Sequence, residues 1–197
     1  MAADYVGPLW IALMNHIHEK LGQPRDAYET GSIPIAHSTI DEEAIRAILA
    51  KSEKSLKRQK QEGVKLIKGT LIVFDDMSHQ PSMQRHQVGI MAELFSTSRH
   101  FACSIIASVH SVNSLGSLPR RQVSALILFA SGNRREYESL SEQYSRLAGP
   151  DKSTFDAIYQ LALGRDSPAF SFLVINVNRK PGRIFMLRFS DFIIPEE

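Results

Sequence analysis

Two adjacent carboxylates, Asp75 and Asp76, directly follow the apolar run 70–74 and offer the clearest chemistry in the sequence. The run is short and has no polar break, which predicts a strand buried on both faces, as in a parallel sheet. Open α/β sheets bind ligands at the carboxyl ends of their strands. An aspartate there can bind Mg²⁺, and a neighbouring carboxylate can orient or deprotonate a water molecule. The plainer interpretation is that Asp75 only ends the strand or caps a turn.

Two further apolar runs follow, and each ends in polar residues. Residues 101–109 precede His110, and residues 125–130 precede Ser131. A helix-like spacing of apolar residues separates the first strand from the second. The order strand, helix, strand, loop, strand is typical of a parallel α/β sheet. We therefore expect an α/β fold with a mostly parallel sheet flanked by helices.

The last part of the chain has the pattern of a β-hairpin. Residues 170–177 and 184–189 are predicted strands, and the link between them is too short for a crossover, so they should pair antiparallel. The predicted tip is basic and contains Arg179, Lys180 and Arg183. These cations either keep an edge strand soluble or contact the phosphates of a nucleic acid.

Residues 1–40 are predicted to form a separate N-terminal segment, with a short amphipathic helix followed by a linker rich in Gly and Pro. Asp41 should open a long helix whose far end is basic, and residues 41–197 should form the main domain. A capping-box spacing at Ser153 predicts the start of a later helix.

Composition limits the class of protein. The 197 residues are 43% hydrophobic and 22% charged with a net charge of +2, so one ordinary globular domain is expected rather than a polybasic nucleic-acid binder.

The single cysteine, Cys103, lies in an apolar run, which favours a buried structural thiol and a reducing compartment. The sequence shows no signal peptide, and the apolar run 9–14 is too short to span a bilayer. We expect an intracellular protein that is not secreted.

The order of these features resembles the viral DNA-packaging ATPases of the poxvirus type, within the FtsK/HerA group of P-loop DNA translocases. The resemblance covers about residues 65–189. It rests on Leu71-Ile72-Val73-Phe74-Asp75-Asp76, on Ser98-Arg99-His100 before an apolar strand, on Leu118-Pro119-Arg120-Arg121-Gln122-Val123-Ser124 before another, and on the Phe-rich hairpin. It implies a RecA-like fold, ATP and Mg²⁺ as ligands, and a homo-oligomeric ring. It also implies double-stranded DNA and other capsid or packaging proteins as partners.

The resemblance also implies residue roles. Asp75 takes the place of the Walker B magnesium ligand, and Asp76 takes that of the water-activating carboxylate beside the nucleotide. His110 stands where the family usually has a Gln that senses the γ-phosphate. Arg120 takes the position of an arginine finger that acts on a neighbouring subunit, with Arg121 as the alternative.

One motif of that family is missing from the sequence. No Gly-x-x-x-x-Gly-Lys-Ser/Thr occurs, and this Walker A loop holds the phosphates through its backbone N–H groups and its lysine. The chain therefore resembles the C-terminal part of such an ATPase. It is predicted to be either a fragment of a longer product or a form whose first half has decayed. We predict that the isolated chain binds ATP weakly or not at all.

Three functions remain open at this point. The first is an ATPase module of a DNA-translocating, genome-packaging motor. The second is a non-catalytic remnant that serves as an assembly or DNA-binding subunit through its basic surfaces. The third, and the least supported, is a metal-dependent nuclease that uses Asp75, Asp76 and Glu93.

Overall fold

The structure is a computed structural model that describes His16, Glu19, residues 39–85 and residues 87–195. The predicted N-terminal helix and linker lie largely outside the described residues, and the proposed division at residue 40 stays a prediction. Among the described residues, those from Ile45 onward group into one compact unit.

Helix α1, Glu42–Gln61, begins where the sequence predicts it. A carboxylate oxygen of Asp41 accepts a hydrogen bond from the Ala44 N–H at 3.0 Å, which caps the first turn. Beyond the last turn, Gly63 has a φ of 67°, a left-handed conformation that suits glycine. The buried Gln59 side chain bonds the backbone N–H and the carbonyl of Lys68 at 2.7 and 2.9 Å. The end of α1 is thereby fixed beside the residues that lead into the first strand.

The first sheet has two strands. Strand β1, Thr70–Phe74, pairs in parallel with β2, Cys103–Ala107, in a register from Thr70↔Cys103 to Phe74↔Ala107. The connection contains the helices α2, Pro81–Gln84, and α3, Ile90–Thr97, followed by a 3₁₀ turn at Ser98–Phe101. The parallel pairing and the burial of Cys103 confirm the sequence predictions.

The second sheet has four antiparallel strands in the order β3-β4-β5-β6. The strands are β3, Ala125–Phe129; β4, Phe172–Asn176; β5, Phe185–Leu187; and β6, Asp191–Ile193. A short helix, α4, Ser117–Arg121, precedes β3, and the helices α5, Arg134–Tyr144, and α6, Lys152–Leu163, connect β3 to β4. The predicted hairpin is confirmed as the β4–β5 pair.

The expectation of one mostly parallel sheet is not met within the described residues. Only β1 and β2 are parallel, and β3 pairs antiparallel with β4. An apolar run marks a strand but carries no information about which strand will become its neighbour, so the partner of β3 could not be read from the sequence. The helix predicted from the spacing at Ser153 is confirmed as α6, but the capping box itself was wrong. Asp151 caps the helix by accepting from the Ser153 N–H at 3.0 Å.

Burial of the strands also departs from the prediction. The side chains of Leu71 and Val73 are 57% and 50% exposed, so β1 is covered on one face only among the described residues. The second sheet is likewise one-sided, because α5 and α6 pack on a single face. That face holds the main core, which includes Leu140, Phe155, Ile158, Tyr159, Ala162, Leu173, Ile175 and Phe185.

Candidate functional site

The carboxyl ends of β1 and β2 bring Asp76 and His110 together. The parallel pairing extends past the strands, because the Ser108 N–H donates to the Phe74 carbonyl at 2.8 Å. Asp76 and His110 each follow two residues later. Nε2 of His110 lies 2.7 Å from Oδ1 of Asp76, and both side chains are exposed to solvent. The result is a contact between a carboxylate and an imidazole at the sheet edge where α/β proteins bind ligands.

The backbone of Asp76 holds its side chain in this position. Asp76 has a φ of 51°, in the left-handed region that few residues other than glycine adopt. The next residues, Met77 and Ser78, are buried and anchor the turn. His79 supports it from outside, with its Nδ1 at 3.2 Å from the Asp76 carbonyl oxygen. The strained conformation fits a residue that is placed for function, since such strain collects at ligand sites.

His79 and Gln80 also belong to this site, although the sequence did not predict them there. Nε2 of Gln80 lies 3.0 Å from Nε2 of His79, so the two side chains extend the network that starts at Asp76. In the sequence these residues lie in a polar stretch between an apolar strand and Pro81, which indicates only a loop. No spacing rule connects such a loop to the strand end, so only the folded structure places them there.

The residues present fit one half of a magnesium–nucleotide site. Asp75 is exposed, and within the described residues its carboxylate makes no hydrogen bond or ion pair. Mg²⁺ commonly uses one or two protein carboxylates and completes its shell with water and substrate phosphates. No group of three or more His, Cys, Asp or Glu side chains in the described part of the chain is arranged to hold a metal alone. The donor set therefore suits a weakly held Mg²⁺ whose shell is completed by water, and a firmly held one only when phosphate oxygens are supplied. The sequence lacks the loop that would hold those phosphates.

The two candidate arginines occupy different environments. Nη1 of Arg120 donates to Oδ1 of Asn113 at 2.7 Å, and Asn113 in turn donates to Ser139 of α5 at 2.9 Å. Nε of Arg120 is buried. Burial raises the pKa of the Tyr144 hydroxyl, and the nearby Arg120 charge partly offsets this rise. Arg120 thus joins α4, the loop after β2 and α5.

Arg121, by contrast, is exposed and forms no ion pair within the described residues. Its guanidinium is the one available to an external anion.

The remaining candidates lie apart from the strand-end site. Glu93 of α3 pairs with Arg46 at 2.6 Å, and no contact joins it to the two aspartates in the described region. The tip of the β4–β5 hairpin is a tight turn, with the Arg183 N–H donating to the Lys180 carbonyl at 3.0 Å and Gly182 at a φ of 79°. Arg179, Lys180 and Arg183 are all exposed there, and the described residues supply no acidic partner for them.

A tyrosine and an aspartate also form a close pair inside the α5–α6 layer. The hydroxyl of Tyr137 donates to Oδ1 of Asp156, and its ring packs edge-on against Tyr159 with centroids 4.9 Å apart. Burial, and then the hydrogen bond to Asp156, raise the pKa of Tyr137 to about 12. The pair supports the helix layer that backs the second sheet.

None of the helices in the described part of the chain is both long and apolar enough to span a membrane.

Comparison with known proteins gives a likeness of fold. No family model matches the chain, and no curated protein matches it. Among solved structures, the genome packaging NTPase B204 from Sulfolobus turreted icosahedral virus 2, in complex with ATP-gammaS, matches with a TM-score of 0.51 at 16% identity, covering 77% of this chain. The same protein in complex with AMP matches with a TM-score of 0.50 at 15% identity and the same coverage of this chain. This chain has a fold similar to that of a viral genome-packaging NTPase.

The likeness has a limited extent. The chain spans 63% of the length of the B204 chain in both comparisons. At this level of identity the comparison concerns the fold, and activity and residue roles have to be argued from the site itself.

Proposed function

We propose that this chain is an ATPase module of a viral genome-packaging motor, with a RecA-like organisation of the poxvirus type in the FtsK/HerA group. The observation that carries the proposal is the contact between Asp76 and His110 at the carboxyl ends of two parallel strands. The fold likeness to a packaging NTPase supports it. The proposal includes assembly as a homo-oligomeric ring on double-stranded DNA with other packaging proteins, inside the infected cell.

Each residue of the site has a distinct task in this proposal. Asp75 would hold a Mg²⁺ ion, whose charge would offset that of the phosphates. Asp76 orients the attacking water and accepts its proton. His110 holds the Asp76 carboxylate in place and lies where a γ-phosphate sensor would stand. A Gln in that position could only donate a hydrogen bond to the carboxylate, whereas a protonated imidazole also forms an ion pair with it.

Arg120 and Arg121 are the two candidates for the arginine finger, and their contacts within the subunit distinguish them. Arg120 follows the family position, but its side chain already bonds Asn113 inside the subunit. Arg121 can reach a neighbouring subunit without breaking such a contact. We therefore propose Arg121 as the arginine that acts across the subunit boundary, with Arg120 positioning the short helix α4 that presents it.

The metal half of the site can be tested on the chain as it stands. Mn²⁺, a paramagnetic substitute for Mg²⁺, should selectively broaden the backbone amide NMR signals of Asp75, Asp76 and His110. Asp75→Asn should remove that broadening, while Glu93→Gln, on a carboxylate outside the site, should leave it unchanged. Uniform broadening, or broadening centred elsewhere, would contradict the proposal. ATP should bind weakly or not at all in the same sample, because the Walker A loop is absent from the sequence.

A second function is favoured by one observation, the three exposed cations at the β4–β5 tip. As a non-catalytic assembly or DNA-binding subunit, the chain would bind duplex DNA without nucleotide through Arg179, Lys180 and Arg183. Such binding would depend strongly on salt, because each phosphate contact releases counterions. The two functions are compatible in one protein, and the dependence of DNA binding on salt tests the second one separately.

A further inference from the structure

Three phenylalanine rings form a row across the face of the second sheet that points away from α5 and α6. Phe129 of β3 lies directly opposite Phe172 of β4, and their ring centroids are 5.7 Å apart at an interplanar angle of 52°. Phe172 continues the row to Phe189 in the β5–β6 turn, with centroids 5.0 Å apart at 62°. We call Phe129, Phe172 and Phe189 the phenylalanine row.

The two ends of the row are open to solvent, whereas Phe172 between them is half-buried and Val174 on the same face is buried. Phe129 and Phe189 are 62% and 66% exposed, whereas the opposite face of the same sheet packs against α5 and α6. Exposed aromatic side chains that contact each other in a row are unfavourable for a surface with no partner, because each ring forgoes the gain from burial. A four-stranded sheet with helices on one face and aromatic rings on the other is an arrangement on which proteins stack two or three bases of single-stranded nucleic acid.

Two residues with a strained, left-handed backbone lie next to the phenylalanine row in the sequence. Phe170, two residues before Phe172, is 92% exposed with a φ of 60°, and Arg188, next to Phe189, has a φ of 55°. These are two of the four non-glycine residues with positive φ among the described residues. Strained positions of this kind collect at sites that hold ligands.

The charge beside the row favours a nucleic acid over an apolar protein partner. The backbone N–H of Arg188 donates to the Phe172 carbonyl at 2.9 Å, which fixes Arg188 beside the row. No ion pair within the described residues neutralises its guanidinium. The nearby acid, Asp191, accepts a hydrogen bond from Ser190 at 2.7 Å. A purely apolar partner would cover Arg188 without pairing its charge, while a phosphate beside stacked bases would pair it.

We propose that the phenylalanine row is a stacking platform for single-stranded nucleic acid, with Arg188 as its phosphate contact. The platform is distinct from the basic tip of the β4–β5 hairpin, because Phe172 begins β4 whereas the tip follows the end of that strand. It does not require ATP hydrolysis, so it goes beyond the proposed function and can hold if that function fails.

The test is fluorescence anisotropy with a short fluorescein-labelled oligothymidylate and, in parallel, a duplex of the same length. The wild-type chain should bind the single strand more tightly than the duplex. Phe129→Ala and Phe189→Ala should each weaken single-strand binding roughly tenfold, as expected for the loss of one stacked base. Phe189→Tyr keeps an aromatic face and should restore most of the affinity.

Leu161→Ala is the matched control, because Leu161 on α6 is 64% exposed and lies outside the row. It should leave binding unchanged, and thermal unfolding should show that every variant is folded. Absence of single-strand binding by the wild-type chain would overturn the proposal, as would equal affinity for the duplex or indifference to both alanine substitutions. Sedimentation should show no change in self-association. If the alanine variants reduce self-association while binding is unaltered, the row is a protein contact and the proposal is wrong.

Discussion

At the residue scale, Asp76 is the position where the proposed function and the stability of the fold are most clearly separate. Its side chain is exposed, its backbone is left-handed and its main contact is with His110. Exposed ion pairs contribute little to stability, about 0–1 kcal/mol. The sequence predicted the Asp75-Asp76 pair at a strand end and His110 after the next strand. It could not predict their contact, which depends on the parallel register and on the turn at Asp76.

Asp76→Gly tests this separation directly. Glycine adopts a positive φ without penalty, so we expect the free energy of unfolding to stay the same or to rise by up to about 1 kcal/mol. Asp75→Gly is the control at a residue without positive φ, where glycine should lower stability by roughly 0.5–1 kcal/mol. Urea denaturation of both variants measures the difference. A clear loss of stability in Asp76→Gly would mean that the carboxylate is a structural element.

Tyr137 gives a pH-dependent prediction. Its pKa is raised from 10.0 to about 12 in the folded chain, so the folded state keeps its proton where the unfolded state loses it. The stability that follows from this difference is complete below about pH 10 and is lost as the pH rises towards 12. Tyr137→Phe should therefore show a smaller decline in urea midpoint across that window than the wild type does. Equal declines in both proteins would contradict the assignment.

At the element scale, the short helix α4 and the loop after β2 form one unit with α5. Asn113 connects Arg120 to Ser139, and the Val112 N–H donates to Glu136 at 2.8 Å. The sequence predicted a loop that delivers an arginine before β3. It gave no sign that Arg120 would turn inward, since Arg120 and Arg121 are adjacent and chemically equal.

Alanine substitutions separate the two arginines. Arg120→Ala removes a hydrogen bond to the exposed Asn113 side chain and shortens a half-buried side chain, so a loss of about 0.5–1.5 kcal/mol in unfolding free energy is expected. Arg121→Ala at the exposed neighbour should change it by no more than about 0.5 kcal/mol. Chemical denaturation of the two variants, matched in charge and in sequence position, measures the contrast. Similar losses in both would remove the distinction on which the choice of Arg121 rests.

The strands show where pattern reading succeeds and where it fails. The runs at β1, β2 and β3 and the β4–β5 hairpin were all predicted, because apolar periodicity and a short link are local signals. The partner of β3 and the exposure of Leu71 and Val73 were not, because both depend on which other elements pack nearby. A continuous apolar run indicates burial on two faces, and the described helices cover only one.

At the scale of the whole molecule, a net charge of +2 conceals an uneven distribution. The β4–β5 tip gathers three exposed cations, so duplex DNA binding should respond to salt more than the net charge suggests. Replacing Arg179, Lys180 and Arg183 with Ala should reduce the slope of log K against log salt by about 0.9 for each phosphate that the variant no longer neutralises. Substituting Arg135, Lys152 and Arg165 with Ala provides a control of equal charge at exposed positions on and beside α5 and α6. If both triple variants change the slope of log K against log salt equally, the β4–β5 tip is not a specific contact for DNA.

The most direct test of the central claim is ATP hydrolysis by the native gene product that contains this chain, compared between wild type and Asp76→Asn. Nucleotide binding is measured in the same preparations. We expect Asp76→Asn to lower turnover by about 10²- to 10⁴-fold, the usual contribution of a general base, while binding of ATP is retained. Turnover that survives the substitution would contradict the role of Asp76. A wild-type product that carries a Walker A loop but neither binds nor hydrolyses ATP would contradict the assignment of this chain to a packaging ATPase.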